Sequence, residues 1–263
     1  HAYWANPVAA GNRPSPTGPA NAQSTQSQPS PGAARNLPPL DALMALGHGR
    51  SYGITTNVFG RVLTSIRNCG IWTALSKRSP APTAALITDI GNDILYGLPV
   101  QQIAGWVEEC LDRLLERQAK AVVTQLPVKN GLKISETRFR IFKAVMFPSC
   151  PLSLGQIRER SYELNDRVIE LCRSRNVPSV EQRTDWYGWD PIHIQLKHWR
   201  TAWGEILSPW LLAADKPRVP RPPRRRWLYL RSLAPEERIW LGHEQRKMQP
   251  AGRLRDGTTI SLY

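Results

Sequence analysis

"TDIGNDILYG", Thr88 to Gly97, follows the apolar run "AALI", Ala84 to Ile87. Four apolar residues bounded by turn formers read as a short buried strand. Gly91-Asn92-Asp93 then sets a carboxamide and a carboxylate where that strand ends. In α/β proteins this is the end at which ligands bind. The question is what these two side chains face.

Outward from this point, strand and helix patterns alternate. "DALMALG" (Asp41 to Gly47) reads as a buried strand running into a glycine-rich turn. A helix is expected over "SIRNCGIWTALSKR" (Ser65 to Arg78). In "PVQQIAGWVEECLDRLLERQ", Ile103, Val107, Cys110, Leu111 and Leu114 share one helical face and Pro99 stands at the start. "KAVVTQLP" (Lys120 to Pro127) and "VPSVEQ" (Val177 to Gln182) read as further strands. Between them, one helix starts after Ser135, a plausible N-cap. A longer one carries Leu164, Val168, Leu171 and Cys172 as its stripe. A closing helix points Leu196, Trp199, Trp203, Leu207 and Trp210 inward. Strands alternating with helices imply a parallel sheet covered on both faces, an α/β/α sandwich.

This order sets three segments on one rim: "GHGRSYG" (Gly47 to Gly53), "DIGND" (Asp89 to Asp93) and "DWYGWDPIHI" (Asp185 to Ile194). In the last, Asp190 and His193 are three apart before a helix. A carboxylate folded back onto one imidazole nitrogen fixes the tautomer and leaves the other nitrogen as a base. Asn92 can aim an amide N–H at an oxyanion, and a serine in the first turn can act as nucleophile.

A first-strand glycine turn, Gly-Asn-Asp after a middle strand, and Asp-x-x-His before the last helix together resemble the SGNH (GDSL-like) hydrolases. The resemblance spans about residues 40 to 212. It implies a flavodoxin-like three-layer fold and hydrolysis of an acyl or acetyl ester through an acyl-serine, without metal or cofactor. By resemblance, Asn92 and a glycine N–H form the oxyanion hole, His193 is the base and Asp190 orients it. Asp93 is expected to tie down its turn. The first block departs from the family's Gly-Asp-Ser. It reads Gly47-His48-Gly49-Arg50-Ser51, so glycine stands at the nucleophile position and His48 at the aspartate. Ser51, two residues on, is the candidate nucleophile, or else a helix cap. Gly70, or Gly60, is the candidate second donor. His48, Gly49, Arg50, Asp93 and Trp189 are candidate substrate contacts. The alternative is an inactive member that binds a ligand or partner at the same rim. "GHGRSYG" also looks like the phosphate-cradling loop of certain flavin-linked oxidases, but those carry a separate substrate domain.

Composition bounds these readings. The 263 residues carry a net charge of +14, which favours anionic partners. Arginines are densest near Arg221, Arg224, Arg225 and Arg226, where contact with an anionic surface is expected. Residues 1–38, rich in Pro, Ser, Gln and Ala, are expected to stay disordered. The α/β domain is expected over 39–213. Residues 214–263 are expected as an appendage: a Pro/Arg linker, a short helix in "APEERIWLGHEQRKM", and a hairpin on Asp256-Gly257. The four cysteines are too scattered for a zinc site and read as buried thiols. With no signal-peptide pattern and no run near the roughly 18 apolar residues of a membrane span, a cytoplasmic setting is expected.

Overall fold

The computed structural model describes residues 39–131, 134–190, 193–210 and 223–263. The expectations for the 1–38 lead, for most of the Pro/Arg linker and for Arg221 lie outside the described residues.

In chain order, the first elements are β1 (Asp41–Met44), β2 (Thr56–Val58), β3 (Arg61–Leu63) and α1 (Ile71–Ser76). Then come β4 (Ala84–Ile87), α2 (Asn92–Leu95), α3 (Val100–Leu115), β5 (Lys120–Thr124) and α4 (Val128–Gly131). Next are α5 (Glu136–Met146), α6 (Leu154–Ser174), β6 (Ser179–Val180), α7 (Trp199–Ile206) and α8 (Arg224–Ser232). The chain closes with β7 (Glu237–Trp240), β8 (His243–Arg246), β9 (Gly252–Arg253) and β10 (Thr259–Leu262). The architecture is mixed α/β.

Strands β4, β5 and β6 form a parallel sheet in that order, with Leu86 opposite Val122 and Val123 opposite Ser179. Its helices follow the sequence pattern. Pro99 caps α3, which buries Ile103, Val107, Cys110 and Leu111. Ser135 caps α5 by accepting from Arg138 N–H. A reciprocal box starts α6: the Ser153 hydroxyl accepts from Gln156 N–H, and the Gln156 side chain accepts from Ser153 N–H. Its buried stripe is Leu164, Val168 and Cys172. All four cysteines are free and buried. No helix of the described residues is long and apolar enough to cross a membrane.

The first strand departs from the expectation. Strand β1 is not hydrogen-bonded to β4. Its parallel partner is β10, from the far end of the chain, with Ala42 opposite Ile260 and Met44 opposite Leu262. These four side chains are buried together. The segment expected as an appendage therefore supplies part of the core around β1. The expected Asp256-Gly257 hairpin is present as β9 and β10.

Other differences have local causes. Cys69 is extended (φ −76°, ψ 167°), which splits the expected helix at 65–78 into a 3₁₀ turn and α1. Arg224 to Arg226, expected in a linker, open α8 behind Pro223. The expected helix over 234–248 is the β7–β8 hairpin, since Leu241 and Gly242 take left-handed backbone (φ 49° and 83°) and reverse the chain. Leu196, expected inward, is 72% exposed because it lies in a 3₁₀ turn ahead of α7. Trp203 is buried as expected, and Ala202 and Ile206 join it on the helix's inner face.

The β2–β3 hairpin was not apparent in the sequence. It turns at Phe59-Gly60, again left-handed (φ 53° and 74°), and joins β7 and β8 in a four-stranded antiparallel sheet. Left-handed backbone costs a side-chain-bearing residue about 1–2 kcal/mol. Phe59 and Leu241 bear this cost while 64% and 68% exposed.

Candidate functional site

A cavity of about 450 Å³ is lined by both β1 and β4, which belong to separate sheets. Its walls are largely aliphatic and aromatic. His48, Asp89, Asn92 and His193 contribute polar groups to it.

Asp190 and His193 meet as the spacing implies. His193 Nδ1 stands 2.6 Å from Asp190 Oδ2, and its backbone N–H donates to Asp190 Oδ1 at 3.2 Å. The turn thus holds the ring from two points and leaves Nε2 outside this pair. The neighbour of His193 is another imidazole: the His48 ring lies edge-on to it with centroids 6.1 Å apart. Burial, and then the charges of His193, Arg61 and Arg231, lower the His48 pKa to about 4. His48 is therefore a neutral imidazole at pH 7.

The turn after β1 does not present a nucleophile. Ser51 is fully buried. Its hydroxyl donates to Asp93 Oδ1 and accepts from Gly53 N–H at 3.0 Å and Ile54 N–H at 2.9 Å. It caps no helix, because residues 51–55 form a bend that leads into β2; its hydroxyl pins that bend instead. Gly49 is left-handed (φ 57°), and a Cβ on it would come 3.0 Å from Tyr96 Oη and 3.1 Å from Val58 Cγ2. The Tyr96 hydroxyl donates to Gly49 O at 2.6 Å. Arg50 is not aimed at a substrate. Its guanidinium is buried and donates to Thr64 O at 2.8 Å, Leu46 O at 3.3 Å and the main-chain oxygen of Tyr263.

Asn92 opens α2 and donates to Arg50 O at 3.3 Å. It is half-buried on the cavity wall. Asp93, one residue on, ties the first turn to α2 through Ser51 and through Tyr52 N–H at 2.9 Å. It is fully buried, which excludes it as a substrate contact in this conformation. Burial raises its pKa from 3.8 to about 6, against the lowering effect of those two bonds. The folded state therefore holds this proton more tightly than the unfolded chain. Stability from this group is present at low pH and is lost as pH rises from about 4 to about 6. The loss amounts to about 3 kcal/mol. Urea unfolding of wild type and Asp93→Asn is expected to show this decline as a difference between the two curves, flat above about pH 6. Parallel curves would rule out a desolvated carboxyl at this position.

Sequence reasoning missed two groups. Tyr96 fills the space beside Gly49, and nothing in "DILYG" marks it for that role. Asp89 opens onto the cavity with an exposed side chain and left-handed backbone (φ 58°). Desolvation by the surrounding walls raises its pKa, partly offset by His193. A non-glycine residue at positive φ beside a cavity is the kind of strain that gathers at functional sites.

Other expected residues are not brought to the cavity. Gly70 caps α1 beneath Glu236 and Tyr263, and Gly60 sits under Leu241 at a hairpin tip; neither lines it. Trp189 is 69% exposed with the Arg138 guanidinium 5.3 Å from its ring centre. Trp186 is core. Among the described residues, no group of three or more His, Cys, Asp or Glu side chains is placed to hold a metal ion. No protein-family model, no curated protein and no solved structure matches this chain.

Proposed function

We propose that the chain is a non-catalytic relative of the SGNH hydrolases, with a flavodoxin-like three-layer core, that binds a small acyl-bearing ligand in the cavity lined by β1 and β4. The single observation that carries this reading is Gly49. At the position of the family's serine there is no side chain, the backbone is left-handed, and Tyr96 and Val58 crowd the place of a Cβ. The aliphatic walls suit an acyl chain. His193, held by Asp190, and Asn92 suit its carbonyl or carboxylate.

A second reading keeps the enzyme. The Asp190–His193 pair has the geometry of a working base. An acyl-serine esterase would then require Ser51 to leave three hydrogen bonds and turn into the cavity.

Titration of intrinsic tryptophan fluorescence with p-nitrophenyl octanoate, while watching for p-nitrophenolate, separates the two. The binding reading expects saturable quenching without phenolate release. It also expects about tenfold weaker affinity in His193→Ala, the scale of one lost hydrogen bond. Turnover abolished in that variant would establish the esterase. Absence of both quenching and turnover would remove the acyl-ligand reading.

A further inference from the structure

We propose that the first turn of α8 and the adjoining β9–β10 hairpin dock the protein onto the phosphate backbone of duplex DNA, with Arg224, Arg225 and Arg226 entering the major groove and Arg253 and Arg255 flanking them.

Two contacts set the hairpin beside the helix. The Tyr229 hydroxyl accepts from Arg253 N–H at 2.9 Å and donates to Arg253 O at 3.3 Å. At the hairpin's turn, Asp256 lies within electrostatic reach of Arg226. All five arginines are exposed. Among the described residues, none of the five takes part in a salt bridge. Asp256, the carboxylate of this turn, is held first by its own loop, accepting from Thr258 N–H at 2.9 Å. The patch therefore keeps an excess of positive charge, on a chain of net charge +14.

The helix begins against its own electrostatics. Unpaired backbone N–H groups make the start of a helix positive, so acidic residues belong there. The first turn of α8 has none, and Arg224, Arg225 and Arg226 fill it. Burial does not offset this, because the contact with the β1–β10 core is made further along, by Leu230 and Leu233. An anion brought from outside offsets it. Shape selects that anion. Successive helical residues point about 100° apart, so the three arginines face three sides. A bilayer is flat and takes up one side of a helix through an apolar stripe. On α8, Leu230 and Leu233 are used in packing and Trp227 lies under the Arg231 guanidinium, 4.6 Å from its ring centre. The B-form major groove, about 12 Å wide, admits a helix between two rows of phosphates. The major groove of duplex RNA is too narrow for one.

Fluorescence anisotropy of a labelled DNA duplex titrated with the full chain, at salt concentrations from about 50 to about 200 mM, tests the proposal. Wild type is expected to bind and to weaken steeply with salt. Each lost phosphate contact flattens the log–log salt dependence by about 0.9. Arg224→Gln/Arg225→Gln/Arg226→Gln is therefore expected to bind more weakly at low salt, and its affinity to fall about 40-fold less than that of wild type over the fourfold salt range. Its Tm is expected to be no lower, because glutamine removes the adverse charges from the helix start, so lost binding is not lost folding. Lys77→Gln/Lys120→Gln/Arg140→Gln removes the same charge from exposed sites elsewhere and is expected to keep the wild-type salt dependence. The proposal is overturned if wild type does not bind the duplex, or if it prefers duplex RNA or phosphatidylserine vesicles. It is equally overturned if the two triple variants lose salt dependence to the same extent.

Discussion

Replacing Ser51 with alanine is expected to lower stability by about 3 kcal/mol without altering any reactivity of the protein. The Ser51 hydroxyl satisfies three partners at once: the buried Asp93 carboxyl and the half-buried Gly53 and Ile54 N–H groups. Alanine leaves the carboxyl with Tyr52 N–H alone and strands two donors. Buried groups left unsatisfied cost about 1–3 kcal/mol each, partly relieved by local shifts, so the sum is about 3 kcal/mol. Denaturant unfolding reads this as a lower midpoint at unchanged slope. A nucleophile behaves in the opposite way: its removal destroys activity and often leaves stability intact or improved. A change below about 1 kcal/mol would mean that the hydroxyl is not the anchor of the turn.

Arg50→Met is expected to cost more, about 4 kcal/mol, because it leaves three main-chain oxygens without their donor at about 1–3 kcal/mol each, partly relieved by local shifts. Arg50 holds the end of β1 through Leu46 O, the segment after β3 through Thr64 O, and the end of β10 through Tyr263. Methionine keeps much of the stem volume but leaves those oxygens without a donor. Because β10 reaches β1 from more than 200 positions away, loss of this staple is expected to loosen the chain's end first. Hydrogen exchange at β9 and β10 should therefore rise ahead of exchange at β4 and β5. Equal exchange in both sheets would contradict this role.

Local patterns reached some features of the sequence and not others. The parallel β4–β5–β6 core was legible because short apolar strands alternate with helices whose caps, Pro99 and Ser135, are written in the chain. The Asp190–His193 contact was legible for the same reason: a three-residue spacing closes in one turn. What depends on distant pairing was not. Nothing in "DALM" shows that its partner is "TISL" at the opposite end, since either strand pairs as well with any buried neighbour. The hairpin tips were hidden because Phe59 and Leu241 occupy positions where a turn reads as Asn or Gly. In the first turn, spacing counted Ser51 and Arg50 as exposed chemistry. The structure turns both inward, and only the bonds to Asp93 and to three carbonyls say why. Tyr96 at Gly49 is likewise a contact across 47 positions with no local mark.

The central claim is that the rim keeps its histidine but offers it no nucleophile. Intact-mass spectrometry after incubation with a fluorophosphonate tests it most directly, on folded wild type beside Ser51→Ala and His193→Ala, with an active serine hydrolase as positive control. The account predicts the unmodified mass for all three forms while the control is fully labelled. An adduct on wild type that maps to Ser51 and disappears in both variants would contradict it. Ser51 would then swing into the cavity to meet His193, and the protein would be an acyl-serine hydrolase.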